Sequence, residues 1–160
     1  MPIEETEFDG AGVRWTLRAF DALSPHELYA ILALRQRVFV VEQACAFLDA
    51  DGRDAASLHL FATDHAGACV ACLRVVPPGA KFAEPSLGRI VTAPEVRGAG
   101  LGREIVRRGV AAALEAHGRV PIALSAQRHL KRFYREFGFA PRGEPYDEDG
   151  IPHLDMVRAG

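Results

Sequence analysis

Three glycines and an arginine in VRGAGLGREIV, residues 96–106, stand where an apolar strand-like run gives way to a helix-like one. Glycines at such a junction let backbone N–H groups approach a ligand with no side chain in the way, and the first helical turn adds unpaired N–H groups and the positive end of its dipole. The chemistry this suits is the grip of a phosphate. Two familiar phosphate loops are excluded by position. The dinucleotide pattern needs a third glycine where Arg103 stands, and the P-loop needs Gly-Lys followed by Ser or Thr, which the chain lacks. What remains is Arg97-x-x-Gly100-x-Gly102, a pattern that by itself also fits a plain structural turn. Charge favours the anion: from Arg89 to Arg135 there are ten Lys or Arg against three acids, although the whole chain has a formal net charge of −2. The same basic residues also suit the solvated faces of amphipathic helices.

A second chemically useful residue lies in QRHLKRFYREFGF, where Leu130, Phe133, Tyr134 and Phe137 fall at helical spacing. A phenol on such an apolar face, with an ordinary pKa near 10, stays protonated and can donate its proton. The alternative is a core tyrosine. Cys69 and Cys72 form a C-x-x-C inside the strand-like ACVACLRVV, where residues three apart point to opposite faces unless a bulge intervenes. They read as buried structural thiols, and no metal site is expected.

The elements that must position these residues fit one domain over residues 1–160, with 49% hydrophobic and 25% charged residues as in ordinary globular chains. No apolar run approaches the roughly 20 residues that span a bilayer, and MPIEETEFDG is acidic where a signal peptide is basic, so the expectation is a cytoplasmic protein with no membrane partner. VRWTLRAF alternates as a first strand. LSPHEL carries a full helix start, with Ser24 as N-cap, Pro25 at the first position, Glu27 closing a capping box and Leu23 facing Leu28 as a staple. That helix is expected to end near the β-branched VFVVEQ. SLHLFATD and ACVACLRVV read as a hairpin, SLGRIVTA and VPIALSA as further strands, and HLDMVR as a last one. A helix runs from Leu101 to Gly118 and another ends at Gly138. The class is α/β (α+β), a mixed and mostly antiparallel sheet with helices on both faces.

Taken together, LGRIVTAPEV, the Arg97-Gly98-Ala99-Gly100-Leu101-Gly102 loop and FYREFGF resemble the GNAT acetyltransferase superfamily. Within it the chain is similar to the ElaA type through LRQRVFVVEQ, DADGRD followed by His59, LGRIV, AQRHLKRFYREFGF and EDGIPHLDM. The resemblance runs from about residue 20 to the end. It implies a GNAT-type sheet and acyl transfer from acetyl-CoA, a cosubstrate needing no metal, to the amine of a small molecule or peptide. Residues 97–102 with Arg103 grip the pyrophosphate, Ile90, Val91 and Thr92 offer backbone groups to the pantetheine arm, and Tyr134 protonates the departing thiolate. Gln127 stands where many members of the superfamily carry an asparagine that contacts pantetheine.

The chemistry asks for a neutral amine, a polarised carbonyl and a proton for the sulfur. A strand amide near Ile90 or Val91 meets the second need and Tyr134 the third. For the first, a lysine-like amine costs about 4.6 kcal/mol to deprotonate at pH 7, whereas an α-amine costs only about 1. Glu42, His59 and His153 lie in the family-like blocks and are the candidates to bind the acceptor or take its proton. Glu42 and His153 are expected across the thioester from Tyr134. Arg89 either binds an acceptor carboxylate or pairs with an acid. Two other classes compete with this reading. Nucleic acid is disfavoured because the basic segment has no interleaved aromatic strand. A non-catalytic acyl-CoA-binding regulatory module is the stronger rival. A monomer or a homodimer fits the sequence equally.

Overall fold

The computed structural model describes residues 3–4 and 7–160. The capping box is present: Ser24 Oγ accepts from the Glu27 N–H at 3.1 Å, and the Glu27 carboxylate accepts from the Ser24 N–H at 2.9 Å, opening α1 (Pro25–Arg35). The β-branched run does not stop the helix outright. Instead the chain widens into a seven-residue π-helix, Gln36–Glu42. There the Gln43 N–H bonds the Val38 carbonyl five residues back at 3.0 Å, so residues five apart come to share a face.

Nine strands form one sheet among the described residues: β1 (Ile3–Glu4), β2 (Arg14–Ala19), β3 (Leu58–Thr63), β4 (Cys69–Val76), β5 (Ser86–Thr92), β6 (Ile122–Gln127), β7 (Phe139–Pro141), β8 (Tyr146–Glu148) and β9 (Ile151–Arg158). Their order is β1-β2-β3-β4-β5-β6-β9-β7, with β8 also paired to β9, and every pairing is antiparallel except β5 with β6. The two long helices cover opposite faces. Arg35 of α1 meets the partners of Arg74 on one face, while α2 (Leu101–His117) lies so close to Leu73 on the other that a Cβ at Gly109 would sit 2.6 Å from Leu73 Cδ1. The expected architecture is therefore the one found. The second expected helix is short, a 3₁₀ turn at Arg128–Leu130 followed by α3 (Lys131–Arg135).

The bulge that strand alternation leaves open at the cysteines is present. Ala62 pairs with Ala71 but Thr63 pairs with Cys69, so Val70 is the extra residue and Cys69 and Cys72 turn to the same side. The neighbouring Cys69 thiol, together with burial, pushes the Cys72 thiol up. All three cysteines are free and buried.

Between α1 and the sheet the residue 49–54 loop delivers three aspartates to three arginines. Arg35 Nε donates to Asp49 Oδ2 at 2.9 Å and Arg35 Nη1 to Asp54 Oδ1 at 2.7 Å. Arg74 Nη1 donates to Asp51 Oδ1 at 2.7 Å and to Asp54 Oδ1 at 2.9 Å. Arg89 Nε lies 2.8 Å from Asp49 Oδ1. Arg35 and Arg74 are only 1% and 2% exposed, so removing either leaves aspartates in a poorly solvated site. His59 caps the network by bonding the Asp54 carbonyl through Nε2 at 2.8 Å.

Burial alone would raise the Asp51 and Asp54 carboxyls, but hydrogen bonds and charge from Arg74 and Arg35 outweigh it and hold both below the usual carboxylate range. Burial holds the His59 imidazole below its usual value. Each group thus binds fewer protons folded than unfolded, so each contribution is complete above the unfolded pKa and is lost as pH falls toward the folded one. The urea midpoint should decline in two stages on acidification, one starting near pH 6.5 for His59 and a steeper one below about pH 4 for the aspartates. Asp51→Asn should lower the midpoint at pH 7 and flatten the lower stage. An acid limb of unchanged slope in that variant would show that Asp51 is not responsible.

Candidate active site

The one parallel pairing is also the shortest for its strands. β5 and β6 share only Ser86–Ala123 and Leu87–Leu124, and beyond Leu87 they part. A cleft opens between them, with Gly88, Arg89 and Ile90 on one wall and Ser125 and Gln127 on the other. Among the described residues β5 has no strand on its β6 side from Gly88 onward, so its edge amides and carbonyls face the cleft. On the other edge the ladder with β4 is broken as well: Arg74 pairs with Gly88 and Cys72 with Val91, leaving Arg89 and Ile90 opposite Leu73 alone. This is a bulge, and Arg89 within it is left-handed, with φ +49°.

β5 leads through a 3₁₀ turn, Pro94–Val96, into the glycine loop. Gly98 and Gly100 adopt φ +89° and +82°, and a Cβ on either would meet nothing within 4 Å, so the space over the loop is open. No backbone acceptor among the described residues pairs with the N–H groups of residues 98–103. Gly100 is the N-cap of α2, which adds its dipole to that row of donors. Gly102, which is not left-handed, approaches Phe133 of α3. The loop thus has an anion site's geometry.

Two ion pairs tie the loop to the π-helix. Arg97 donates from Nη1 to Glu42 Oε1 at 2.5 Å and from Nη2 to the Thr92 carbonyl at 3.2 Å, while Arg37 pairs with Glu95. Arg37 and Glu42 are five residues apart, the spacing that the π-helix brings to one face. Glu42 therefore sits on the glycine loop and not across the cleft from Tyr134, the position expected from the sequence. His59 is likewise 2% exposed beneath the sheet and does not line the cleft. Arg103, at the first turn of α2, is exposed and paired with Glu136.

The structure brings Tyr134, Gln127, Arg89 and His153 together in the cleft. Tyr134 is 6% exposed, packed edge-on against Phe133 and Phe139, and its hydroxyl has no hydrogen-bond partner among the described residues. Burial pushes the phenol up, which keeps its proton in place. Gln127 Nε2 donates to Gln43 Oε1 at 3.3 Å, bridging the end of β6 to the residue after the π-helix. In the same cleft, His153 on β9 bonds the Ile151 carbonyl through Nδ1 at 2.7 Å. A carbonyl only accepts, so Nδ1 carries the hydrogen and Nε2 is the nitrogen left to take up a proton. Nε2 lies 3.4 Å from Glu148 Oε2.

Glu148, Gln43 and the Asp49 that faces Arg89 were not singled out from the sequence. Glu148 lies on a three-residue strand in an acidic run, where nothing distinguishes it from its neighbours. Ser125, Tyr146 and Asp155 add a hydrogen-bonded chain on the β6, β8 and β9 wall, with the Tyr146 hydroxyl 2.7 Å from Asp155 Oδ1. No helix among the described residues is long and apolar enough to cross a membrane, and none of their His, Cys, Asp and Glu side chains cluster as a metal site.

A family model for the acetyltransferase (GNAT) domain matches residues 36–159. Among curated relatives, the UPF0039 protein sll0451 of Synechocystis is 43% identical over 145 residues, covering 91% of this chain and 94% of its own. Protein ElaA of Escherichia coli is 34% identical over 148 residues, covering 91% and 96%. In structure the chain resembles an acyl-CoA N-acyltransferase from Pseudomonas aeruginosa, with TM-score 0.88 at 40% identity over 92% of this chain and 99% of that one. It also resembles E. coli ElaA, with TM-score 0.86 at 34% identity over 91% and 99%. The likeness in sequence and fold runs over nearly the full length, and the chain belongs to the GNAT acetyltransferase superfamily as an ElaA-like member.

Proposed function

We propose that the protein transfers an acetyl group from acetyl-CoA to the amine of a small molecule or peptide. The observation that carries this is the Tyr134 hydroxyl in the cleft between β5 and β6, buried and without a hydrogen-bond partner among the described residues. In this reading the residue 97–102 loop takes the pyrophosphate, with Arg97 exchanging Glu42 for phosphate. The β5 edge from Ile90 to Thr92 takes the pantetheine amides and Gln127 braces them from β6. A strand amide near Ile90 or Val91 polarises the thioester carbonyl, the amine attacks it, and Tyr134 gives its proton to the sulfur as the carbon–sulfur bond breaks. His153 takes the proton that the amine loses, and Glu148 beside it faces the incoming cation. The similarity to an acyl-CoA N-acyltransferase supports the donor class. Free buried cysteines fit a reducing, cytoplasmic setting. A monomer or a homodimer is compatible with every role named.

The decisive assay is release of free CoA thiol from acetyl-CoA against a panel of polyamines, amino acids, aminoglycosides and peptide N-termini. Saturable CoA binding without release for any amine would favour the regulatory module instead. Gly100→Val tests the loop, since a β-branched side chain would strain the left-handed position and fill the open space over the N–H groups. CoA at a hundred times its Kd should stabilise the wild type by about 2.7 kcal/mol in thermal unfolding and the variant hardly at all. Equal stabilisation of both would remove the loop from the cofactor site.

Tyr134→Phe keeps the ring and its edge-on contacts, so CoA affinity should hold while kcat falls by about a hundredfold, within the range of general acid catalysis. An unchanged kcat returns Tyr134 to the core. His153→Gln should lower turnover of an alkylamine at pH 7 by about a hundredfold. That loss should shrink as pH approaches the amine's own pKa near 10, where the nucleophile is already neutral. A loss that is the same at pH 7 and pH 10 would make His153 a structural residue and not the base.

A further inference from the structure

The glycine of Leu87-Gly88-Arg89-Ile90 stands one residue too early. Gly88 has no positive φ and a Cβ there would meet Arg74 Nε at an ordinary 3.8 Å, while the left-handed position of the bulge is Arg89, at φ +49°. A residue with a Cβ is disfavoured there, and an arginine has no local hydrogen bond that would compensate, as an asparagine has. Something beyond the strand must hold it. The side chain supplies the answer. Its Nε lies 2.8 Å from Asp49 Oδ1, its Nη2 donates to the Asp49 carbonyl at 3.0 Å and approaches Asp51 Oδ2 at 3.4 Å, and its guanidinium covers the Phe47 ring at 5.4 Å. The Nε–H does not point along its line to Oδ1, so that contact acts as charge on charge and not as a directed bond. Asp49 is itself fixed, 5% exposed and held by Arg35 at both its carboxylate and its carbonyl.

We propose that Arg89 and Asp49 form a positioning device: the ion pair pins Arg89 in the left-handed conformation and so maintains the bulge that directs the β5 backbone into the cleft. The inference rests on the acyl-transfer reading for its catalytic consequence, and on the backbone alone for its structural one. Arg89 is then a positioning residue that touches neither donor nor acceptor. Without the anchor, relaxation of residue 89 to an ordinary β conformation rotates the amides of Ile90 and Val91 away from the thioester carbonyl. Pyrophosphate binding, a property of residues 97–102, is untouched.

Two substitutions at one position separate the anchor from the conformation. Arg89→Ala removes the side chain but keeps the Cβ that disfavours φ +49°. Arg89→Gly removes the side chain and the Cβ together, so the bulge costs nothing to keep. With acetyl-CoA and the best amine from the panel, Arg89→Ala should lower kcat by roughly a hundredfold, the scale of an ångström displacement of a reacting group. The Kd for CoA should stay within about twofold. Arg89→Gly should retain at least half of the wild-type kcat. Crystal structures of the two variants should show a negative φ at residue 89 in the first and a positive one in the second. Should Arg89→Ala not fold, Asp49→Asn, which keeps the bonds to Arg35, takes its place with the same expected loss.

Equal loss in the alanine and glycine variants would mean that the guanidinium itself is needed, and would overturn the proposal. So would wild-type turnover in both, or a positive φ retained in the alanine variant. If the wild type releases no thiol with any amine, the acyl-transfer reading fails by itself, and the conformation at residue 89 in the two variants still decides the positioning claim.

Discussion

The cleft, and with it the candidate site, depends on two parallel strands that stop pairing. β5 and β6 are joined by two register pairs and then separate, which leaves hydrogen-bonding edges without the ladder that a sheet normally provides. Such edges are costly in a closed core and useful in a cleft, where an amide-bearing ligand can complete them. The separation is enforced from outside the pair. β6 is held along its other edge by six consecutive register pairs with β9, and β5 by β4 on either side of the bulge. Each strand thus belongs firmly to one half of the sheet, and the gap is the boundary between the halves.

The floor of that gap is built from charge. Three arginines and three aspartates interlock beneath β4 and β5, two of the arginines almost fully buried. A well-packed apolar cluster of equal volume would often be at least as stable, so the network is not explained by stability alone. What a fan of guanidinium groups gives that leucines do not is fixed direction. Each aspartate is gripped by more than one arginine or by an arginine and its own loop, and the residue 49–54 loop, which has no strand or α-helix of its own, acquires one position relative to β5.

How far the sequence discloses this follows from which signals are local. The Ser24 cap, the helix from Leu101 to Gly118, the strands of the central sheet and the glycine loop all rest on patterns within a dozen residues, and all are found. β1, β7 and β8 are two or three residues long and show no alternation to read. Glu42 was misplaced for a different reason. Its expected place rested on its family-like block, whereas its position is set by pairing with Arg97, 55 residues away, which no local pattern announces. The cysteines are the buried thiols expected, and the bulge named as the exception is what turns Cys69 and Cys72 to one side, a shift of parity that strand alternation does not disclose. Tyr134 and His153 were legible by type and block; their relation to Gln127 and Glu148 is long-range and is written in no single segment.

The crossed ion pairs between the π-helix and the glycine loop connect these points. Arg97–Glu42 and Arg37–Glu95 are both solvent-exposed, and exposed pairs contribute little to stability because water screens them and long side chains lose freedom to make them. A pair that is weak at the surface is easily exchanged. On the proposed reading, a pyrophosphate arriving at the row of N–H groups brings more negative charge than one carboxylate and gains the helix dipole besides, so it takes Arg97 from Glu42 at small cost. Arg37 and Glu95 keep the π-helix on the loop throughout. The consequence reaches the other end of the cleft, because Gln43, the residue after the π-helix, receives the hydrogen bond of Gln127 on β6. The π-helix and the residue that follows it therefore meet the glycine loop through Arg37 and Glu42 and brace β6 through Gln43.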